Sequence, residues 1–554
     1  MKIVKKILMA LVIGILSAFM LWYTLSLCKC LMNSDSAFII DYAELMIKYK
    51  SLFPKTWVNT NDFWVYSLIP QLAVFLKMGI KMFIARQLSV IVQTIALFAV
   101  IIWFYKTINI KRGVFAFFVL LMSGVSAQFM FEMFGDGQYA AIVLYILLGL
   151  TLFIKYHQTS KIGYTIALFF LLVFLCGCSL RFPILLVAPL FVCLFFMAYA
   201  NKKITREHII SFISIVFGFI FGYLLYRLLS NFLMVYSYID REIIGDSYNL
   251  TNAVFGTIFD FLYMNGATGK ANSTLGKMYH TFITSTSISI LIPFIKLVFA
   301  IFTVVIPYKI SKKVNKLSQE EKIVNIFVVS SSLILLFFLI IADMYWARYH
   351  VTLIFFLLLL HPIFYDLYID SDKVKKIVYS TLIGLVSIAS IVLVLDSTID
   401  FKTHQQKVNQ YQGLTNFLLE KDLHMGYNAR DNEHNIFHLL SNGDLRIARL
   451  SRALDMPYYW LSSTDWFDED YYKGNVFFIN NPSYGDLEFT AVQEKALMVY
   501  NYGNYNIYVL ENMNVLLNQL TSTHYAPVKN WDEFWNLKDY EKKKSILDLF
   551  KSVE

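Results

Sequence analysis

Charge is scarce along this chain. Only 16% of its 554 residues are Asp, Glu, Lys or Arg, where soluble domains carry about 25%. Cysteine is scarce too. Of the five, Cys28 with Cys30 and Cys176 with Cys178 form two C-x-C pairs, open to a disulfide, a metal site or simply small buried side chains. The motifs of soluble enzymes are missing: there is no P-loop, no G-x-G-x-x-G, no H-E-x-x-H and no G-x-S-x-G in a strand–turn–helix setting. That removes support for nucleotide-driven transport and for nucleotide-sugar chemistry on a Rossmann domain. There is no internal repeat and no low-complexity tract.

What fills the chain is hydrophobic. Apolar residues make up 57% and aromatics 17%, and the mean hydropathy is +0.55. Long uncharged runs, each near the roughly 20 residues a helix needs to cross a bilayer, predict a polytopic helical membrane protein. A closed β-barrel would show short alternating segments instead. The net charge of +9 does not point to nucleic acid, because the Lys and Arg residues sit in short clusters between apolar runs, as in cytoplasmic loops. Heavy use of Ile, Lys, Phe, Tyr and Asn fits an AT-rich bacterial genome. The sequons at Asn249 and Asn272 would then be chance matches. The N-terminal Lys2, Lys5 and Lys6 precede an apolar run without a small-x-small cleavage site, which reads as an uncleaved first span.

Hydropathy and the positive-inside rule predict about eleven spans: 7–27, 84–105, 113–131, 138–155, 162–179, 182–200, 208–229, 281–307, 323–342, 350–367 and 377–395. The N-terminus lies in the cytoplasm. Residues 63–79 are apolar but interrupted by Pro70. Counting them as a span would turn every later Lys cluster outward, so they read as an interfacial or re-entrant piece. The expected organisation is a multi-span domain over 1–396, with a first outer loop at 28–80, and an extracytoplasmic soluble domain over 397–554. That tail is polar and long enough for its own core, with helical pattern near 406–420 and 538–551 and strands near 475–479 and 506–510. The expected fold class is an all-α membrane domain followed by an α/β or α+β domain.

The candidate chemistry gathers at outer span ends. In the first outer loop, Ser34 can cap an interfacial helix running through Ile47, with Asp35 in its first turn. A helix N-terminus stabilises a carboxylate, so Asp35 is either a cap or a functional acid. Asp41 and Glu44, three apart, share a face. The outer turn 131–138 holds Glu132 and, between Gly135 and Gly137, Asp136, which either caps the next span or joins Asp35 in a site. Two such acids are able to bind a divalent cation (Mg or Mn) or to supply a general base. Arg181 and Arg348 stand at span mouths, Arg348 followed by Tyr349 and His350. Two outer guanidinium groups suit a lipid-linked phosphate. An Asp343–Arg348 salt bridge is the plainer alternative. Arg86 is a further cation. Tyr458, Tyr459, Trp460 and Trp466 in the tail are stacking platforms or, more simply, core.

At these residues the chain resembles the GT-C superfamily of membrane glycosyltransferases, in the bacterial branch related to protein mannosyltransferases and aminoarabinose transferases. Asp35 matches that family's acid in the first outer loop, although Ser36 stands where a second acid is frequent. Pro70, Gly79 and Arg86 match its interfacial segment, Asp136 its second acid, Arg181 with Pro183 a later basic residue before proline, and Arg348-Tyr349 its late Arg-Tyr. The likeness covers about residues 1–365. It implies inverting transfer of a sugar from a polyprenyl-phosphate carrier to a cell-envelope acceptor: a glycan, teichoic acid, lipid or protein. Asp35 would be the base, Asp136 would position acceptor or metal, and Arg348, Arg181 and Tyr349 would bind the donor phosphate. Asp41, Glu44, Glu132, Arg86 and His350 are secondary candidates. The rival expectations are a polysaccharide polymerase or ligase, a transporter or flippase of lipid-linked glycans, and a non-catalytic scaffold.

Overall fold

A computed structural model describes residues 2–26, 28, 32–60, 62–233, 235, 250–268, 287–342, 347–429, 434–450, 457, 461–480 and 490–521. Cys30, both sequons, Asp343, Tyr458, Tyr459, Trp460 and the helical pattern near 538–551 lie outside the described residues. The chain forms two compact units. One comprises Met1–Cys28, Val90–Tyr226 and Arg241–Phe401; the other comprises Lys29–Ser89, Arg227–Asp240 and Lys402–Glu554. The division is not linear: the expected first outer loop shares a unit with the C-terminal residues.

The first unit is built from apolar helices. Among the described residues nine helices are long and apolar enough to cross a membrane, or ten when the bent pair Val114–Ser123 and Ala127–Asp136 counts as one span. The fifth expected span, 162–179, is a shorter apolar helix of 17 residues, Ile162–Cys178. Large apolar side chains such as Ile95, Phe170, Phe195 and Leu333 are exposed on these helices. In water such surfaces invite association; in hydrocarbon they are solvated. The chain is thus a multi-pass membrane protein.

The bent pair turns through 95°. Gly124 makes the corner with φ +70, a value that favours a residue without Cβ. A break inside a span strands backbone carbonyls that no water can reach. Here the ammonium of the buried Lys296 donates to the Val125 carbonyl (2.7 Å) and also bonds the Ser390 hydroxyl. The Ser126 hydroxyl accepts from the Phe129 N–H and donates to the Met264 carbonyl at 2.7 Å.

Cys28, Cys176, Cys178 and Cys193 are buried thiols, Cys28 donating to the Thr24 carbonyl at 2.8 Å. They serve as small packing residues. Gly218 and Gly222, four apart on the helix Arg206–Phe232, meet Leu172 and Cys176 of the helix Ile162–Cys178. This is the close backbone approach that small-xxx-small spacing permits between helices in lipid.

The second unit contains a mixed sheet of five strands in the order Arg446–Arg449, Met425–Asn428, Val476–Asn480, Tyr505–Leu510, Met498–Tyr502. The first three are parallel and the last two antiparallel. The strands expected near 475 and 506 are therefore neighbours. The helical pattern expected near 406–420 is the end of one helix, Lys373–Glu420. Residues 396–406 contain neither Pro nor Gly, so no local signal ends the helix.

In the first-loop segment, Pro70 opens a helix of nine residues, Ile69–Lys77. At about 14 Å it is too short to cross a bilayer. Trp57 anchors this unit's core, stacked on Phe38 and edge-on to Tyr42 and Trp466. The strand Trp57–Val58 pairs antiparallel with Ser462–Ser463. Trp466 is thus core.

A Cβ at position 222 would lie 2.7 Å from Cys176 Cβ and 3.0 Å from the Leu172 carbonyl oxygen. Gly222→Ile should therefore lower stability by about 1–3 kcal/mol through overpacking. Gly163→Ala, which meets no atom within 4 Å, should leave the melting temperature unchanged. Thermal unfolding of both variants in one detergent checks the contrast; equal melting temperatures would disprove the tight crossing.

Candidate functional site

The acidic helix Ser34–Tyr49 belongs to the second unit, and its start decides how Asp35 is to be understood. Sequence reasoning placed the cap at Ser34 or Asp35. The cap is Asn33: its side-chain oxygen accepts from the Ser36 N–H (2.9 Å) and the Ser36 hydroxyl (3.0 Å). Asparagine in extended conformation satisfies the first orphan donors as well as serine does. Ser34 instead accepts from the Asn435 N–H at 3.1 Å. Asp35 is half-buried in the first turn. It is not the cap. The fully buried Arg86 donates from Nε to the Ser36 carbonyl at 3.0 Å. Two features that sequence order placed fifty residues apart are thus neighbours.

Six and nine residues beyond Asp35, Asp41 and Glu44 meet two residues that sequence reasoning missed. Arg446 bonds Asp41 Oδ1 through Nη1 (2.6 Å) and Glu44 Oε2 through Nη2 (2.9 Å). Its guanidinium also lies over the Trp466 ring, 4.5 Å from the centroid. His438 presents Nδ1 to the Leu445 carbonyl at 3.1 Å and Nε2 to Glu44 Oε2 at 2.6 Å. Arg446 Nη2 lies 2.8 Å from the same Nε2, so Asp41, Glu44, His438 and Arg446 form one connected cluster.

The environment separates the two acids. Burial pushes the Asp41 carboxyl above its usual range, and Arg446 and His438 only partly counter it. Its Oδ2 is buried without a hydrogen-bond partner. Burial also pushes Glu44 upward, but His438 and Arg446 outweigh it and hold the carboxyl below its usual range. Arg446, despite burial, is held further toward the charged form by Asp41 and Glu44.

Asp41, Glu44 and His438 are the one group among the described residues with ligand atoms close enough to share a metal ion, all within 4.8 Å. Asp35 and Asp136 do not belong to it. The Arg446 guanidinium already bonds both carboxylates and supplies their counter-charge. A divalent ion would have to displace it, so these residues do not fit a resident metal.

The first unit holds the other candidates. Glu132 and Asp136 are buried in a π-helical turn, Phe131–Asp136. Gln128 donates to Glu132 Oε1 at 2.7 Å. Asp136 does not cap the following helix: the cap position is Gly137, at φ +80. Arg181 and Arg348 both approach the Tyr349 ring, their guanidinium carbons 5.7 and 5.9 Å from its centroid. Tyr139 lies in the electrostatic reach of both arginines, of Tyr349 and of Glu132. His350 is fully buried at the start of the helix His350–Leu359, its ring 6.3 Å from that of Phe261.

Thus Arg181, Arg348 and Tyr349 are brought together in one unit, with Glu132 near the same Tyr139. Asp35 and Arg86 are brought together in the other. Residues His438 and Arg446 carried no local sequence signal; their partners lie some four hundred residues away. No protein-family model matches the chain, and no curated protein is similar to it.

The two acids predict a pH signature. A lowered folded pKa contributes stability above the unfolded value and loses it as pH falls through the folded value. Replacing Glu44 by Gln should therefore lower the melting temperature at pH 7. The gap from wild type should shrink as pH falls below the ordinary 4.5 of a glutamate. Asp41, whose pKa is raised, acts in the opposite sense, favouring the folded state at low pH. Melting curves of wild type and Glu44→Gln between pH 7 and 3 measure the gap; a gap independent of pH would contradict the pairing.

Proposed function

We propose that this multi-pass membrane protein is a glycosyltransferase of the GT-C type. It moves a sugar from a polyprenyl-phosphate carrier to a cell-envelope acceptor on the outer face. The observation that carries the proposal is the convergence of Arg181 and Arg348 on Tyr349, with the buried Glu132 acting on the same Tyr139 as all three. Two guanidinium groups around one ring match a phosphate, which takes charge-assisted bonds from several directions. In sugar transfer from a lipid phosphate, negative charge grows on the leaving oxygen. Fixed cations at that point lower the barrier without a covalent intermediate.

Asp35 is the proposed general base. Its helix is capped by Asn33, and the acid stands in the first turn. Arg86 fixes the backbone beside it through the Ser36 carbonyl. Asp136 is the proposed acceptor-positioning acid. In this reading the N-terminus is cytoplasmic, and the first loop and C-terminal residues are outside.

A second reading, a flippase of lipid-linked glycans, draws on one feature. The bent helix pair and the fully buried Lys296 supply a broken span and an ionisable group inside the membrane part, as transporters do.

One assay separates them. Purified protein in liposomes is offered a panel of radiolabelled polyprenyl-phosphate sugars with cell-envelope acceptors. The enzyme reading expects label to leave the carrier. The flippase reading expects carrier to cross intact. Asp35→Asn should cost roughly 10²–10⁴-fold in turnover, the usual contribution of a positioned base, while the protein still folds. Near-wild-type transfer by Asp35→Asn would refute its role as base. Arg348→Met should weaken capture of the carrier phosphate, seen as weaker protection of the protein by polyprenyl phosphate in thermal melts.

A further inference from the structure

We propose that Arg446 is a positioning residue for Asp35, and that Asn435, His438, Arg446 and Asp465 clamp the acidic helix from start to end. The inference rests on the reading of Asp35 as the base. Three ties run along one helix, Ser34–Tyr49. At its start the Asn435 N–H donates to the Ser34 hydroxyl, one residue before Asp35. At its middle Arg446 and His438 hold Asp41 and Glu44. At its end Lys48 and Tyr49 both bond Asp465 Oδ2, at 2.8 and 2.5 Å.

The middle tie governs. The Asp41 side chain is 1% exposed and that of Arg446 11%, whereas the Lys48 side chain in the end tie is 49% exposed. Exposed pairs contribute little; a buried charge that loses its partner is strongly unfavourable. The guanidinium cannot slide, because it forks across two carboxylates three residues apart and lies on Trp466. It therefore fixes both the rotation and the axial setting of the helix. Asp35 stands six residues, about 9 Å, along the same rigid rod. A general base must stand within hydrogen-bond reach of the proton it takes, and a 1 Å misplacement can cost on the order of 10²-fold. Arg86, on the helix Met82–Thr107 and bonded to the Ser36 carbonyl, holds the same turn.

The test uses the full-length protein in liposomes, with wild type, Arg446→Lys and Arg446→Met. Two readouts are taken: steady-state transfer from the carrier sugar used by wild type, and backbone hydrogen exchange over residues 32–50. Arg446→Met should lower kcat on the order of 10²-fold while the KM for carrier changes little. Exchange over residues 34–49 should rise, with protection in the membrane helices unchanged. Arg446→Lys should recover part of both, because an ammonium retains the charge but not the fork. A role limited to bulk stability would move the melting temperature without this kcat loss at temperatures where the variant is folded, and would overturn the proposal. So would wild-type turnover and exchange in Arg446→Met. If Arg446→Met does not fold, Asp41→Asn, which removes one arm of the fork, carries the same expectations and the same refutations. If wild type itself transfers no sugar, the proposed function fails, and hydrogen exchange alone still decides the clamp.

Discussion

One guanidinium shared between two carboxylates organises the second unit. A helix that presents Asp41 to a dry interior is unfavourable until a cation is fixed against it. Arg446 is that cation, and it leaves the Asp41 Oδ1 and Glu44 Oε2 atoms bonded at 2.6 and 2.9 Å. Because Arg446 begins the edge strand Arg446–Arg449, the pairing ties a loop helix to a sheet. Trp466 supports the guanidinium, and Trp57 packs edge-on against Trp466. The packing of Phe38, Tyr42, Trp57 and Trp466 and the ion pairs thus reinforce one placement of the helix.

The first unit obeys a different constraint. Hydrocarbon gives no reward for joining apolar faces, so helices there associate through close packing and through polar groups that cannot be left unmet. Gly218 and Gly222 provide the former. Lys296, Ser390, Ser126 and the Met264 carbonyl provide the latter around the broken span at Gly124. The same economy frames the arginines at Tyr349. A cation near the membrane is costly unless it is partnered or can reach the interface. Two of them approach one ring, Tyr349, and both act with Glu132 on Tyr139. The proposed lipid-phosphate chemistry draws its support from that placement.

Local signals carried a good deal of this. Runs of apolar residues marked the long helices, since length and hydropathy alone decide whether a segment can span. Pro70 and Gly79 delimited a helix too short to cross. Short runs rich in β-branched and aromatic residues marked Val476–Asn480 and Tyr505–Leu510, which pair in register. Capping was legible as a position but not as a residue. Asn33 and Ser34 are both good caps, and the choice went to Asn33 because Ser34 is engaged by Asn435. The long helix Lys373–Glu420 was legible only in parts, because its middle changes from apolar to polar without a stop signal.

Sequence by itself determined the membrane class, the number and place of the apolar helices to within one or two, and the residue types at the span mouths. These follow from hydropathy, charge and local backbone preference, all of which act over a few residues. Only tertiary structure decided that Asp41 and Glu44 face Arg446 and His438, that Arg181 and Arg348 share Tyr349, and that the first loop folds with the C-terminal residues. Such pairings join positions hundreds of residues apart. Their energy comes from excluding water around opposite charges, and no local pattern records which distant partner will be there when the water leaves.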